Sequence, residues 1–347
     1  VKKSLVATHH RKINYGRTKS YDSFAIMAMF KIHYSLIFLV FSVLNAQTEV
    51  DEAAQLIDQK QYVQAQHKMK TFLERHPNNL DAVELLGDAY AYQRLWDNAI
   101  EKYEYLLAQQ SESATYNYKY GGALAMKAQS VNKLSALGLI GDIKRAFLKT
   151  IELDPKHINA HWALVDYYVT LPGIVGGSFS KALDYANKLE AISTVDGYLA
   201  KGYVYEYDDE PILAEKFYKL AIKEGGSLTC YSKLSDFYSS QNRPQEAIIN
   251  FERAKLKLNR NALHYQIGKV CADYNIQLDK GEKCLNTYIE NFTAKDGVPL
   301  EWAYLRLAQI YKHKGSKSEA LKYIDKALGR NEDFKQAIKE KEFILKM

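Results

Sequence analysis

The stretch "LLGDAYAYQRLWDNAIEKYEYLL", Leu85–Leu107, holds two runs of helical period separated by a short polar break. Leu86, Gly87 and Tyr90 mark the first run, and Ala99, Tyr103 and Leu106 the second. Steps of three and four place each set on one face of a helix. The signs return downstream. Gly202 and Tyr205 precede Ala214, Tyr218 and Ala221; Ser235 and Tyr238 precede Ala247, Phe251 and Ala254; Ala308 and Tyr311 precede Ala320, Ile324 and Ala327. In all four copies the small residue of the first run lies 12 before the alanine of the second, and that alanine lies 7 before the next small or apolar position. A chain that repeats one helical hairpin in this way builds its core by stacking, because no hairpin buries its own apolar face.

The residue types follow from that geometry. Two helices cross closely only where side chains are small, which is the role expected of Gly87, Gly121, Gly202, Gly268, Ala99, Ala214, Ala247 and Ala320. Tyr90, Tyr168, Tyr205, Tyr238 and Tyr311 each offer a large ring to the core and a hydroxyl expected to reach water at the rim. Most of the 27 tyrosines are therefore structural.

The pattern resembles the tetratricopeptide repeat, a hairpin of about 34 residues. "FLERHPNN" (Phe72–Asn79) and "IELDPKH" (Ile151–His157) match that family's proline-terminated second helix. The resemblance implies an all-α, right-handed superhelix (an α-solenoid) over residues 47–347. Its eight units lie near 46–79, 80–113, 114–157, 158–194, 195–227, 228–260, 261–300 and 301–332, with a capping helix over 333–347. Two units break the period. Gly121 to Pro155 runs ten residues long, in "KAQSVNKLSALGLIG" (Lys127–Gly141), where Leu134, Leu137, Leu139 and Ile140 are available to cap or extend a groove. Tyr168 to Ala182 runs five residues long, in "LPGIVGGSFSKA" (Leu171–Ala182).

The charge is uneven. Of 47 basic and 41 acidic residues, the segment 1–46 takes seven and one, which leaves the remainder neutral. A neutral body argues against nucleic acid as a partner. Residues 1–28 read as an over-extended start. Residues 29–46 read as a signal peptide: Met29-Phe30-Lys31, the apolar run "YSLIFLVFSVL" (Tyr34–Leu44), then Ala46 as the residue before a cut. An uncleaved anchor is the alternative and would be the chain's membrane contact. Either way the chain is expected to be exported, periplasmic or envelope-associated.

No cofactor and no metal are expected. His157 and His161 stand four apart, but no glutamate follows the first, so the HExxH spacing is absent. Cys271 and Cys284 lie on neighbouring helices and are either a disulfide or two buried thiols. The glycine-rich loop lacks the Gly-Lys-Ser/Thr ending and the preceding strand of a phosphate loop. It reads as a turn with Ser178 or Ser180 capping the next helix; the alternative is a small anion held by Gly176, Gly177, Ser178, Ser180 and Lys181.

What remains is binding. In the family it resembles, the first helix of each pair lines a concave groove. The corresponding positions here include Asp81, Glu84, Asp88, Tyr92, Tyr118, Trp162, Asp166, Tyr203, Tyr207, Tyr265 and Trp302. Aromatic anchors among charges suit a protein or an extended peptide. The clamp that grips a chaperone's C-terminal carboxylate is not implied, because Val50 and Ala54 stand where it needs Lys and Asn. The sequence therefore points to a non-enzymatic binding scaffold, with the anion receptor as the alternative.

Overall fold

A computed structural model describes residues 48–347, and every regular element among them is helical. The expectations for residues 1–46 fall outside the described residues. The chain divides into two compact units between Asn132 and Lys133, inside the ten-residue insertion.

The first unit holds α1 (48–58), α2 (Tyr62–Arg75), α3 (Leu80–Tyr92), α4 (Trp96–Gln109) and α5 (Ala114–Ser130). In the second unit α6 (Lys133–Leu137) and α7 (Ile140–Leu153) lead into α8 (Ile158–Thr170) and α9 (Phe179–Ile192). There follow α10 (Thr194–Tyr207), α11 (Pro211–Glu224), α12 (Leu228–Ser240), α13 (Pro244–Leu258), α14 (Ala262–Tyr274), α15 (Leu278–Glu290), α16 (Leu300–His313), α17 (Lys317–Arg330) and α18 (Lys335–Leu345). From α2 to α5 and from α7 to α18, consecutive helices pack against one another, so the all-helical hairpin architecture read from the 12-and-7 spacing is the one observed.

Close crossing explains the glycines. A Cβ added to Gly87 would lie 2.7 Å from the Tyr103 ring, one on Gly202 2.6 Å from Tyr218, and one on Gly268 2.4 Å from Leu285. On the second helices Ala99, Ala214, Ala247 and Ala320 are fully buried. The rings that fill these contacts are core: Tyr103, Tyr218, Phe251 and Tyr288 are at most 2% exposed.

The two helices of a hairpin start differently. Five first helices, α3, α5, α8, α10 and α12, are capped by side chains: Asn79, Ser113, His157, Ser193 and Ser227 each accept a hydrogen bond from the backbone three residues on. Second helices begin instead from a left-handed residue, at Lys60, Arg94, Asp209, Asn242 and Gly315. The next amide then reaches back five residues: Gln61 to Leu56, Leu95 to Tyr90, Glu210 to Tyr205, Arg243 to Tyr238 and Ser316 to Tyr311, at 2.8–2.9 Å. This is the Schellman closure of a helix C-terminus, and its acceptor is the repeat's tyrosine in four of these turns.

The fourth repeat keeps the acceptor and lengthens the loop. Ser178 donates to the carbonyl of Tyr168 at 2.8 Å, ten residues back rather than five. Ser178 then caps α9 by accepting from the Lys181 amide at 3.3 Å. The five extra residues are thrown outward as a one-turn 3-10 segment, Gly173–Val175. Gly176 closes it at φ +108°, and a Cβ on Gly177 would sit 1.7 Å from the Leu171 carbonyl oxygen.

One expectation is corrected. The hydroxyls of Tyr238 and Tyr311 do not end in water. Tyr238 donates to Glu215 at 3.0 Å and Tyr311 to Glu282 at 2.6 Å, each carboxylate lying on the second helix of the preceding repeat. A cation from the turn completes each cluster: Arg243 bonds Glu215 at 2.6 Å, and Lys314 bonds Glu282 at 2.6 Å. Burial pushes the Glu215 carboxyl up, but the hydrogen bonds from Arg243, Lys219 and Tyr238 prevail and hold it down to about 2.

Candidate functional site

The positions expected to face a partner are described unit by unit. In the first unit, Glu84 and Asp88 are spanned by Lys119, whose ammonium lies 2.5 and 2.6 Å from them. Asp88 also accepts the Tyr103 hydroxyl at 2.7 Å. Burial works against the charge on Lys119, yet Asp88 and Glu84 outweigh it and raise its pKa. Asp81 is exposed and Tyr118 half-buried. Tyr92 is 59% exposed and stacks on Tyr62, centroids 4.8 Å apart. This face is largely self-neutralised.

In the second unit α8 and α10 lie side by side and form an aromatic ledge. Trp162 donates its indole N–H to Asp196 at 2.9 Å, and Asp196 also accepts the Ser193 hydroxyl at 2.5 Å. One step along, Tyr203 donates to Asp166 at 2.7 Å. Burial and then Asp166 push the Tyr203 phenol up, so it stays a donor. Its ring leans on Tyr207 at 4.8 Å, and Tyr207 is 52% exposed. Behind the ledge Glu206 accepts from Tyr218 at 2.7 Å and from Ser240 at 3.2 Å. Trp162 and Tyr203 are thus held in orientation by Asp196 and Asp166.

The ledge continues onto α12 and α14 through residues that the sequence reading missed. Asp236 is open to solvent, yet surrounding protein pushes its carboxyl up, against the pull of Lys269 and Lys233. Burial raises Asp273 too, against Arg306, which is ion-paired to it. The 33-residue steps from Tyr203 to Asp236 and on to Lys269 were the available signal.

Two expected groove residues are placed elsewhere. Tyr265 is 4% exposed and packs against Tyr288 at 5.5 Å; at this point of α14 the ring faces the core rather than the concave side. Trp302 is partly buried and meets Phe334 edge-on at 4.6 Å, so its face is covered by the segment that opens α18.

The glycine loop offers no anion cradle. The amides of Val175, Gly176, Gly177 and Ser178 all donate within the turn. The Lys181 ammonium lies over the Tyr168 ring at 5.7 Å, and Ser180 is exposed. His157 is a helix cap, accepting the Ala160 amide at 3.1 Å, and His161 donates to the Pro155 carbonyl at 3.0 Å. Cys230, Cys271 and Cys284 are buried free thiols; burial pushes the Cys271 thiol up to about 12. Among the described residues no group of three or more His, Cys, Asp or Glu is placed to hold a metal.

On the opposite face, a cavity of about 400 Å³ opens between α11 and α13 over Tyr231 and Leu234. Its carboxylates, Glu215 and Glu246, are already bonded to Arg243.

Family models of the tetratricopeptide repeat match residues 50–114, 86–128 and 303–339. The chain carries tetratricopeptide repeats. A comparison with curated protein sequences gave no match. Among solved structures, a tetratricopeptide repeat protein from Parabacteroides merdae is similar at TM-score 0.51 and 13% identity, covering 86% of this chain and 98% of its own. A thermophilic repeat protein of Thermus thermophilus, TTC0263, gives 0.38 at 15% identity, covering 70% and 99%. YrrB, described as a repeat protein with an unusual peptide-binding site, gives 0.37 at 20% identity, covering 57% and 98%. The first of these likenesses shares the fold.

Proposed function

We propose that the protein is a non-enzymatic scaffold of the bacterial envelope that holds a protein or an extended peptide on the concave side of residues 133–347. Tetratricopeptide repeats commonly serve protein interaction, and the family resemblance puts the first helices on the binding side. One observation carries the reading: the ledge of Trp162, Tyr203 and Tyr207, with two of its rings tethered to Asp196 and Asp166 and Tyr207 half-exposed. Aromatic rings already held in place give contact area at low ordering cost, which is what a partner-binding hot spot needs. Asp236 and Lys269 beyond it supply charge for register. His157, His161 and most of the inner carboxylates are occupied by structural bonds, which favours holding over chemistry.

The test is recovery of partners from the envelope fraction by the full chain and by Tyr203→Ala/Tyr207→Ala. Recovery is expected to fall roughly tenfold or more with unchanged helical circular dichroism. Equal recovery by both proteins sinks the ledge as the binding face. The envelope assignment rests on the apolar run Tyr34–Leu44; N-terminal sequencing of the native protein is expected to begin near Gln47.

A further inference from the structure

α6, the helical part of the longer insertion, and the glycine-rich loop both lie in the second unit. α7 and α8 run antiparallel through the turn at residues 154–157, and Lys144 of α7 lies over the Tyr168 ring of α8 at 5.7 Å. Lys181 of α9 lies over the same ring, also at 5.7 Å. The start of α7, the end of α8 and the start of α9 therefore converge. α6 sits one turn ahead of α7, and the extruded loop sits between α8 and α9.

These two segments present bare aliphatic side chains. α6 buries none of its residues: Leu134 is 80% exposed and Leu137, three along on the same face, 47%. At the loop tip Ile174 is 95% exposed, the largest exposure of any large apolar residue described. Leu134 and Leu137, available to cap or extend a groove, are open to solvent. Exposed Ile212 and Leu256 differ, because they stand singly on regular helices, where a lone exposed aliphatic is ordinary.

The surround is cationic. Lys133, Lys144 and Lys181 form no ion pair with a described residue. Arg145 is paired with Asp142, and Asp184 stands one turn further along α9. Projecting aliphatic knobs with a collar of lysines are the reverse of a groove that grips a side chain. They match a surface that yields to knobs and is negatively charged.

We infer that this edge, formed by Leu134, Leu137 and Ile174 with Lys133, Lys144 and Lys181, docks the protein on a lipid surface containing anionic headgroups. The aliphatic tips enter the headgroup–acyl boundary and the lysines remain at phosphate level, as in interfacial anchoring. This contact is separate from the aromatic ledge and stands or falls independently of the partner held there.

The test places an environment-sensitive fluorophore on the full chain at Ile174→Cys, with Leu256→Cys as control. The native thiols are buried, so a brief reaction labels the new one. With phosphatidylcholine–phosphatidylglycerol vesicles, the probe at 174 is expected to shift to the blue and brighten several-fold. The shift is expected to shrink with phosphatidylcholine alone or at high salt, while the probe at 256 stays unchanged. Leu134→Ser/Leu137→Ser/Ile174→Ser is expected to lower vesicle co-sedimentation roughly tenfold. An aqueous spectrum at 174 with the mixed vesicles overturns the proposal, as does an equal response at 174 and 256. A response at 174 to envelope protein but not to extracted lipid overturns it in favour of a protein partner.

Discussion

The sixth and fourth repeats close the same turn in two ways. In the sixth, the Tyr238 carbonyl takes the amide of Arg243 five residues on, with Asn242 left-handed between them. The Arg243 side chain then lies 4.6 Å over the Tyr238 ring and bonds Glu215 of the preceding repeat. In the fourth, the Tyr168 carbonyl takes the amide of Ser178 ten residues on, and Lys181 and Lys144 share its ring. The stack requires only that this carbonyl be closed and the ring covered. What happens between donor and acceptor is free to vary, and that is where a repeat protein acquires features its period does not specify.

The most damaging change should be Gly177→Ala. Its Cβ would fall on the Leu171 carbonyl, a backbone atom that cannot step aside, so the closure of the long turn fails. A loss of about 2–4 kcal/mol is expected, read as a fall in thermal midpoint. Asn242→Ala in the short turn should cost only about 1 kcal/mol, the strain of a left-handed alanine. Equal costs at the two sites would mean that the long turn is not held by Gly177.

Next in size is Glu215→Gln, which removes the staple that only the short turn has. A decrease of about 1–2 kcal/mol at neutral pH is expected for a partly solvated charged cluster. The folded pKa, about 2, lies below the ordinary 4.5, so the stabilisation is full above 4.5 and disappears as pH falls toward 2. The variant should therefore show a flatter acid limb of thermal midpoint against pH over that window. An unchanged acid limb would remove Glu215 from the account.

The hairpins were readable because small residues, alanines and tyrosines are dictated by helix crossing, and crossing recurs. Gly202 and Tyr218 announced each other across 16 residues, and the structure puts them in contact. The five extra residues were countable for the same reason. Three things were not readable. The left-handed position is filled by Lys60, Arg94, Asp209, Asn242 and Gly315, with no shared residue type, because its requirement is conformational. The Tyr238–Glu215 staple joins residues 23 apart on successive repeats, through side chains that the repeat pattern leaves variable. Tyr265 was read as a groove residue by its place in the unit, but the ring turns inward to meet Tyr288. Of the ledge, the aromatic positions were legible, while their tethers Asp196 and Asp166 gain meaning only when α8 and α10 are side by side.

A smaller effect tests the short turn by improving it. Arg94 has φ 61°, a region that glycine enters freely and arginine does not. Arg94→Gly is expected to gain a few tenths to about 1 kcal/mol, since relief of strain exceeds the added freedom of the unfolded chain. A lower thermal midpoint would show that Arg94 makes a contribution beyond its backbone.

The smallest expected effect on stability is the most informative. Removing Pro172–Gly176 leaves Val169, Thr170, Leu171 and Gly177 between Tyr168 and Ser178, the same four-residue spacing as between Tyr238 and Arg243. Gly177 then occupies the position that Asn242 holds, and it takes a left-handed conformation without cost. The shortened chain should keep its helical circular dichroism and a stability within about 0.5 kcal/mol of the parent, because the carbonyl of Tyr168 is closed in both. It would also lack Ile174, so its association with anionic vesicles should weaken with no loss of fold. A shortened chain that unfolds would mean that the loop supports the fourth repeat rather than being carried by it. If it folds and still meets the vesicles as before, the extra residues have no part in docking and the proposed lipid-facing edge is overturned.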